Sequence, residues 1–259
     1  MHVFKKKHFM NKLVFEKYSD YYDLIYKEKD YKAEVNYIHR LVNQYEKNFR
    51  DILEFGSGTG KHAGIFTELG YKIHGIELSE YMVSKAKIVP GFTCQKGDIA
   101  NTKMNKTYNI VLSLFHVMSY QITNKQLNDV FSNAADHLNK DGLFIFDFWY
   151  SPAVYTEKPS IRVKRVANKE IEITRIAEPK IINNENRIDI SYTLYIKNLL
   201  NGKVDIIKEV HSVRHFSLPE IDILCEMFGF QRILTEELKT GKKISENTWG
   251  PCVMLKKVR

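Results

Sequence analysis

The spacing of apolar residues changes period twice along this 259-residue chain. Residues 16–47 predict two helices around Asp30. In the second, Val35, Ile38, Leu41, Val42 and Tyr45 share a face, and Asp30 is placed to cap it. From residue 51, short apolar runs alternate with helical patterns. Strands are predicted at 51–55, 72–78, 92–96, 108–114 and 143–148. Between them, one helix runs from a glycine-rich turn to about Leu69, and Ser79 caps another that carries Met82, Val83 and Ala86. A capping box of Thr123 and Gln126 opens a third, with Leu127, Val130, Phe131, Ala134, Ala135 and Leu138 on one face. Asp141-Gly142 turns the chain into the fifth strand. Such alternation implies right-handed crossovers and a parallel sheet covered by helices on both faces.

From about Arg162 to Phe216 the period drops to two. Ile188, Ile190, Tyr192, Leu194 and Ile196 fall on one strand face, and Asn201-Gly202 marks a hairpin between two such runs. This stretch predicts three or four antiparallel strands inserted after the fifth strand. A capping box of Ser217 and Glu220 then restores the helical period, with Ile221, Leu224, Cys225 and Phe228 inward and Gly229 as the stop. Two last strands follow at 230–234 and 252–258. The expected organisation is an N-terminal segment over 1–48 (a basic tail, then helices covering the site), an α/β core over 49–150 and a β insertion over 151–216. A helix and strands over 217–259 complete the core. The insertion is expected on the substrate side, with contact between two copies of the chain as its other expected use.

Composition changes this picture little. With 44% hydrophobic and 27% charged residues the chain sits near the globular average, which excludes disorder, collagen and coiled coil. No run approaches the ~18 apolar residues of a membrane span. The opening MHVFKKKHFMNK has neither an apolar core nor a small-residue cleavage site, so a signal peptide is not expected. Cys94, Cys225 and Cys252 lack metal-ligand spacing and an even count, which fits a reducing cytoplasm. The net charge of +8 lies at the ends: Lys5, Lys6, Lys7 and Lys12 at one, Lys256, Lys257 and Arg259 at the other, leaving +1 between. Lysine outnumbers arginine 30 to 9, and no basic stripe runs through the body, so a nucleic-acid partner is not expected.

The most informative segment is DILEFGSGTGKHAG. A strand ends in Glu54, and Gly56, Gly58 and Gly60 then open a helix. Alternate glycines suit a turn with positive φ and a ligand lying too close for Cβ atoms. The GxGxG spacing and the missing Lys-Ser/Thr argue against NAD and against a P-loop. Glu77 ends the second strand, where a carboxylate can accept two ribose hydroxyls, and Asp98 with Ile99 follows the third, within reach of an adenine. Three acids at successive strand ends also suit a cationic ligand.

LEFGSGTG, GIELS, GDI and YNIVLSLF, in that order, resemble the motifs of class I S-adenosylmethionine-dependent methyltransferases over residues 50–150. The resemblance implies an α/β, Rossmann-like seven-stranded sheet, S-adenosyl-L-methionine as cofactor and S-adenosyl-L-homocysteine as product. It implies that Glu54, Phe55, Gly56, Ser57, Gly58, Thr59 and Gly60 lie along the methionine and ribose. Glu77, with Leu78 beside it, takes the ribose; Asp98 and Ile99 take the adenine; and Leu114 to His116 face the methyl group. A finer resemblance, carried by YYDLIYKEKDY, SLFHVMSY, FDFWYSP and the β insertion, is to the sugar N-methyltransferases acting on nucleotide-linked amino-deoxyhexoses. It implies pocket residues at Tyr22, Tyr120 and Trp149 and a small-molecule acceptor, a nucleotide sugar. His116 and Tyr120 stand where the polar residues of those relatives differ, which leaves an amino and a hydroxyl acceptor both open.

Methyl transfer from a sulfonium is an in-line displacement, so the protein must hold the acceptor against the methyl and exclude water. A hydroxyl acceptor wants a general base, and His116 is the candidate, against a plain hydrogen-bonded wall residue; Tyr120 orients the substrate or is core. In EVHSVRHF, alternation sets His211 and His215 on one face and Arg214 on the other. His211 is a candidate pocket residue and Arg214 a candidate phosphate ligand, against a solvated strand face. No metal set is expected. The competing functions are an RNA methyltransferase, suggested by charge alone and lacking an Asn/Asp-Pro-Pro-aromatic motif, and a cofactor-binding protein without transfer activity.

Overall fold

The computed structural model describes residues 17–259, so the basic segment 1–12 lies outside the described residues. The described residues divide into a larger unit, residues 30–158 and 214–259, and a smaller one, residues 17–29 and 159–213.

In the larger unit, helix α2 (Tyr31–Tyr45) begins on Asp30, whose side chain accepts from the Ala33 N–H at 2.8 Å. Strands β1 (Asp51–Phe55), β2 (Lys72–Glu77), β3 (Phe92–Lys96), β4 (Tyr108–Ser113) and β5 (Leu138–Asp147) alternate with α3 (Lys61–Glu68), α4 (Glu80–Lys85) and α5 (Asn124–His137). Later in the chain come α7 (Leu218–Phe228), β11 (Phe230–Glu237) and β12 (Pro251–Lys257). The seven strands lie in the order β11-β12-β5-β4-β1-β2-β3. β1 to β5 are mutually parallel, and β12 and β11 are added antiparallel. Strand order therefore reverses between β1 and β4, and in open α/β sheets the crevice at such a reversal is where ligands bind.

Both faces of this sheet are covered, which explains its near-continuous apolar strands. Leu53, Phe55, Val111, Phe144, Phe146, Val253 and Leu255 pack with Val130 and Phe131 of α5 and Ile221 and Leu224 of α7. On the other face Ile52, Ile110, Leu112, Leu143, Ile145 and Met254 pack with Val35, Ile38 and Leu41 of α2 and Phe66 of α3. A phenylalanine cluster centres the first face: the rings of Phe144 and Phe146 are 4.7 Å apart, those of Phe131 and Phe144 5.5 Å.

Two local features differ from the periodicity. Leu138 is the first residue of β5 rather than the last of the helix. Asn139 to Gly142 form a bulge between the pairs Tyr108↔Leu138 and Ile110↔Leu143, with Asp141 at φ 62°. Ser151–Glu157 form a helix, α6, with Pro152 in its first turn; seven residues are too few to show a helical period. Before it, Trp149–Tyr150 (β6) pair in parallel with His215 and Phe216.

In the smaller unit, β7 (Arg162–Ala167), β8 (Ile171–Ile182), β9 (Arg187–Asn198) and β10 (Val204–Phe216, whose last three residues belong to the larger unit) run antiparallel in chain order. Ile188, Ile190, Leu194 and Ile196 are buried, as period two predicts. The Asn201-Gly202 signal closes β9 on β10 through a loop in which Asn198 Oδ1 accepts from the Leu200 and Asn201 N–H groups. Helix α1 (Ser19–Ile25) covers this sheet, with Ile25 and the preceding Tyr18 against Val166, Ile173, Leu194 and Ile196. The larger unit thus begins at residue 30 and runs to 158, whereas the sequence pattern puts the boundaries at 48 and 150. Among the described residues no helix is long and apolar enough to cross a membrane.

Phe144 has no exposed surface and touches ring partners on four elements. Phe144→Ala is expected to cost about 3–5 kcal/mol, against about 0.5 kcal/mol or less for Ile223→Ala on the exposed face of α7. Urea denaturation of the two variants checks this.

Candidate active site

The chain leaves β1 through Gly56, Gly58 and Gly60, with φ of 72°, 55° and 77°, values that side chains resist. Backbone bonds build the turn: the Gly56 and Ser57 N–H groups donate to the Ile76 carbonyl at 2.8 and 3.3 Å, and Gly60 N–H donates to the Ser57 carbonyl at 2.9 Å. Ser57 and Thr59 are buried between them. The three glycines have different reasons for lacking a side chain. A Cβ on Gly56 would stand 2.6 Å from Val117 and one on Gly60 2.5 Å from Phe92, while one on Gly58 would meet nothing within 4 Å. The expectation that a ligand excludes all three Cβ atoms is therefore corrected: the protein's own packing excludes two, and only Gly58 borders open space.

Three acids stand at the strand ends. Glu54 is 2% exposed, and its Oε2 is buried without a hydrogen-bond partner. Burial first, and the Glu77 charge second, push its carboxyl up to about 8. Glu77 Oε2 accepts from Gly58 N–H at 2.9 Å and its Oε1 from Ser79 N–H at 2.8 Å, so one carboxylate ties the glycine turn to the start of α4. Burial raises Glu77 and these backbone bonds hold it back. Asp98 Oδ1 accepts from Ala100 N–H at 2.9 Å, folding the turn after β3. Leu78 is exposed, whereas Ile99 and Leu114 are buried in the two sheet cores. Strand alternation turns the Phe55 ring away from Glu54 and into the core, so only its main chain lies on the loop side.

The turn after β4 is built against the glycine loop by Val117. Phe115 and His116 are successive non-glycine residues in the left-handed region, φ 66° and 62°, at a cost of about 1–3 kcal/mol each. Asp147, at the end of the adjacent β5 and 0% exposed, holds this shape: its Oδ1 accepts from His116 N–H at 3.0 Å, and its Oδ2 lies 2.8 Å from His116 Nδ1. The Trp149 ring stands edge-on to His116 at 6.5 Å and to Trp249 at 5.6 Å, and Trp149 N–H donates to Ser119 Oγ at 2.9 Å. The Trp249 indole N–H donates to the Glu157 carboxylate. A Cβ on Gly250 would be 3.1 Å from His116 Cε1, so its absence makes room for the imidazole. Tyr120 closes the turn, half-buried.

Asp147, Trp249 and Gly250 lie outside the residues that motif and spacing single out. An acid ending the apolar run LFIFD is a signal for the first; nothing in the sequence points to a loop a hundred residues later. A buried trio beside the loop is equally unannounced: His62 Nε2 lies 2.8 Å from Glu34 Oε2, and its Nδ1 lies 3.8 Å from Glu54 Oε1.

The remaining candidates are dispersed. Tyr22 and His211 belong to the smaller unit, where Tyr18 lies within ring contact of both and Glu209 Oε2 is 3.1 Å from His211 Nε2. Arg214 belongs to the larger unit, where Nη1 donates to Asn124 Oδ1 at 2.7 Å and Nη2 to Glu220 Oε1 at 3.1 Å. Both terminal nitrogens thus bind protein groups rather than standing open to the expected phosphate.

Residues 52–142 match the family described as a methyltransferase domain. Over 180 residues, 68% of this chain and 76% of the relative, the sequence is 27% identical to dTDP-3-amino-3,4,6-trideoxy-alpha-D-glucopyranose N,N-dimethyltransferase of Streptomyces venezuelae. It is 26% identical over 181 residues to dTDP-4-amino-2,3,4,6-tetradeoxy-D-glucose N,N-dimethyltransferase of Saccharopolyspora spinosa, covering 68% of this chain and 72% of that one. Among solved structures, an S-adenosylmethionine-dependent methyltransferase from Clostridium acetobutylicum superposes with a TM-score of 0.77 at 19% identity, over 93% of this chain and 97% of that one. The S-adenosylmethionine-bound amino pentose methyltransferase CalS10 from Micromonospora echinaspora gives 0.74 at 17%, over 95% and 98%. The reversal of strand order, the glycine turn and these likenesses agree: the chain is a class I S-adenosylmethionine-dependent methyltransferase. The residues present suit that cofactor, since Glu54 offers a buried, uncompensated carboxyl oxygen at the head of a loop with one open glycine edge.

Two outcomes are expected. Glu54 is raised from an ordinary 4.5, so the folded state holds a proton that the unfolded chain has lost. Its contribution to stability is complete below pH 4.5 and is lost as pH rises through about 8. The melting temperature of Glu54→Gln relative to wild type should therefore climb from pH 5 to pH 9 in protein free of cofactor. Gly58→Ala should fold with a loss of about 1–2 kcal/mol from its left-handed backbone and bind S-adenosylmethionine more weakly. Gly60→Ala should lose more stability, because its methyl also collides with Phe92; thermal melts and calorimetry separate the two.

Proposed function

We propose that this methyltransferase acts on an amino group of a nucleotide-linked aminodeoxysugar. The observation that carries this reading is the His116–Asp147 pair set against the glycine loop, beside Trp149 and Trp249. The names of the relatives, dTDP-aminodeoxysugar N,N-dimethyltransferases, supply the substrate class.

The cofactor supplies an electrophilic methyl group on a sulfonium and departs as a neutral thioether. An amine is a nucleophile only without its proton, and sugar ammonium groups hold theirs near neutral pH. His116 accepts that proton. Asp147 lies against Nδ1, and the buried carboxylate stabilises the imidazolium that forms. Its second oxygen, bonded to the His116 N–H, holds the strained turn so that the imidazole keeps one position. Trp149 and Trp249, edge to face, form an aromatic wall against which the sugar stacks, and Tyr120 orients it. Much of the acceleration then comes from holding amine and methyl together in a site that excludes water.

A panel of dTDP-linked 3-amino and 4-amino deoxysugars, screened for release of S-adenosylhomocysteine, tests the substrate class; turnover of hydroxyl sugars with none of the amino sugars refutes it. His116→Asn should lower kcat about 100-fold at pH 7 and recover towards pH 9, where the amine loses its proton unaided, with S-adenosylmethionine affinity unchanged. A flat pH profile for this variant would show that His116 is not the base.

A further inference from the structure

Lys164 of β7 and Arg175 of β8 stand directly opposite each other in the antiparallel ladder, so both side chains leave the same face of the sheet. Both are half-buried, and both belong to the smaller unit. Lys164 Nζ is 5.8 Å from the centre of the Tyr26 ring, at the end of α1. Arg175 Cζ is 5.8 Å from the same ring and 5.4 Å from that of Tyr192. Arg175 Nη1 donates to the Tyr18 and Tyr26 hydroxyls at 3.2 and 3.1 Å, which fixes the plane of the guanidinium. Its Nε is buried without a hydrogen-bond partner, and no described residue bonds Nη2.

Like charges directly opposite on a sheet repel, and partial burial deprives each of water. Elsewhere in this sheet cations are given acids: Arg187 pairs with Glu185 and Asp189, and Lys203 with Asp205. Among the described residues neither Lys164 nor Arg175 forms an ion pair. Glu209 of β10 instead accepts from the Tyr18 N–H at 3.1 Å and lies 3.1 Å from His211 Nε2. Burial pushes the Tyr18 and Tyr192 phenols up, so these neighbours stay neutral and add no negative charge. The ring faces attract both cations, but more weakly than a full counter-charge would. An anion shared by the two side chains removes their repulsion. The tetrahedral oxygens of a phosphate suit this pair, since a guanidinium edge and a flexible ammonium then take different oxygens.

We propose that Lys164 and Arg175, flanking Tyr26, form an anion site of the smaller unit that binds a diphosphate group, free or carried by a nucleotide. Arg175 offers Nη2 and Lys164 its ammonium to the same anion, while Tyr18 and Tyr26 hold the guanidinium in place through Nη1. The site is built from the smaller unit alone and does not depend on the identity of the methyl acceptor.

Titration calorimetry of the full chain at pH 7 and low salt, with pyrophosphate, dTDP and thymidine as probes, tests this. Pyrophosphate and dTDP should bind and thymidine should not. Tighter binding of dTDP points to a nucleotide as the source of the diphosphate, equal affinity to a free diphosphate, and either result supports the site. Lys164→Gln, which removes no hydrogen bond of the fold, should weaken both ligands about tenfold. Arg175→Lys, which keeps the charge but loses the planar fork, should do the same. Lys203→Gln, which removes a cation already paired with Asp205 in the same sheet, should change neither. An Arg175 that only braces α1 would lower the melting temperature when replaced, with no diphosphate bound by wild type. The proposal is overturned if wild type binds neither pyrophosphate nor dTDP, or if Lys164→Gln binds them as wild type does. The Lys164 variant decides even where Arg175→Lys does not fold. Such a failure leaves the amino-sugar reading standing, and a failed sugar screen leaves this site standing.

Discussion

A carboxyl group at the end of a strand covered on both faces has little water to stabilise its charge, and most of the site follows from that constraint. Glu54 ends β1, the strand beside which sheet order reverses, and helices pack on both sides of it. Burial of this kind is costly unless something positive or a proton compensates. The chain offers a histidine on one side and a loop of positive-φ glycines on the other. A ligand bearing positive charge is what such a place lacks, and S-adenosylmethionine has one.

The same reversal arranges the rest. Because β4 and β5 follow β1 in the sheet, the turn after β4 and the last residue of β5 arrive beside the glycine loop. His116 then meets Asp147, and Val117 covers Gly56. One carboxylate accepts from the main chain of His116 and lies 2.8 Å from its ring nitrogen. Backbone strain and side-chain orientation are thus controlled by a single buried group.

Much of this is legible in the amino-acid sequence. The helical and strand periods locate the α/β core and the four-stranded antiparallel insertion, because apolar spacing reports directly which residues face a core. The glycine turn with Glu54, Glu77 and Asp98 is legible because each belongs to a short local pattern at a strand end. Leu138 is misplaced by its spacing, since an apolar residue suits a helix face and a strand start equally. The seven residues of α6 show no period at all. Trp249 and Gly250 carry no signal, as their meaning lies in a contact with residues 100 and more positions away.

The sequence by itself determined the class of fold, the position of the glycine loop and the acids around it, since all of these are encoded in periods and motifs of a few residues. Only the tertiary structure decided why two of the three glycines must be glycine, which acid grips His116, and that His62 bridges Glu34 and Glu54. It also showed Arg214 bound to Glu220 and Asn124. The physical reason is that burial and pairing depend on which distant elements the sheet order makes neighbours, and a local pattern does not record that order.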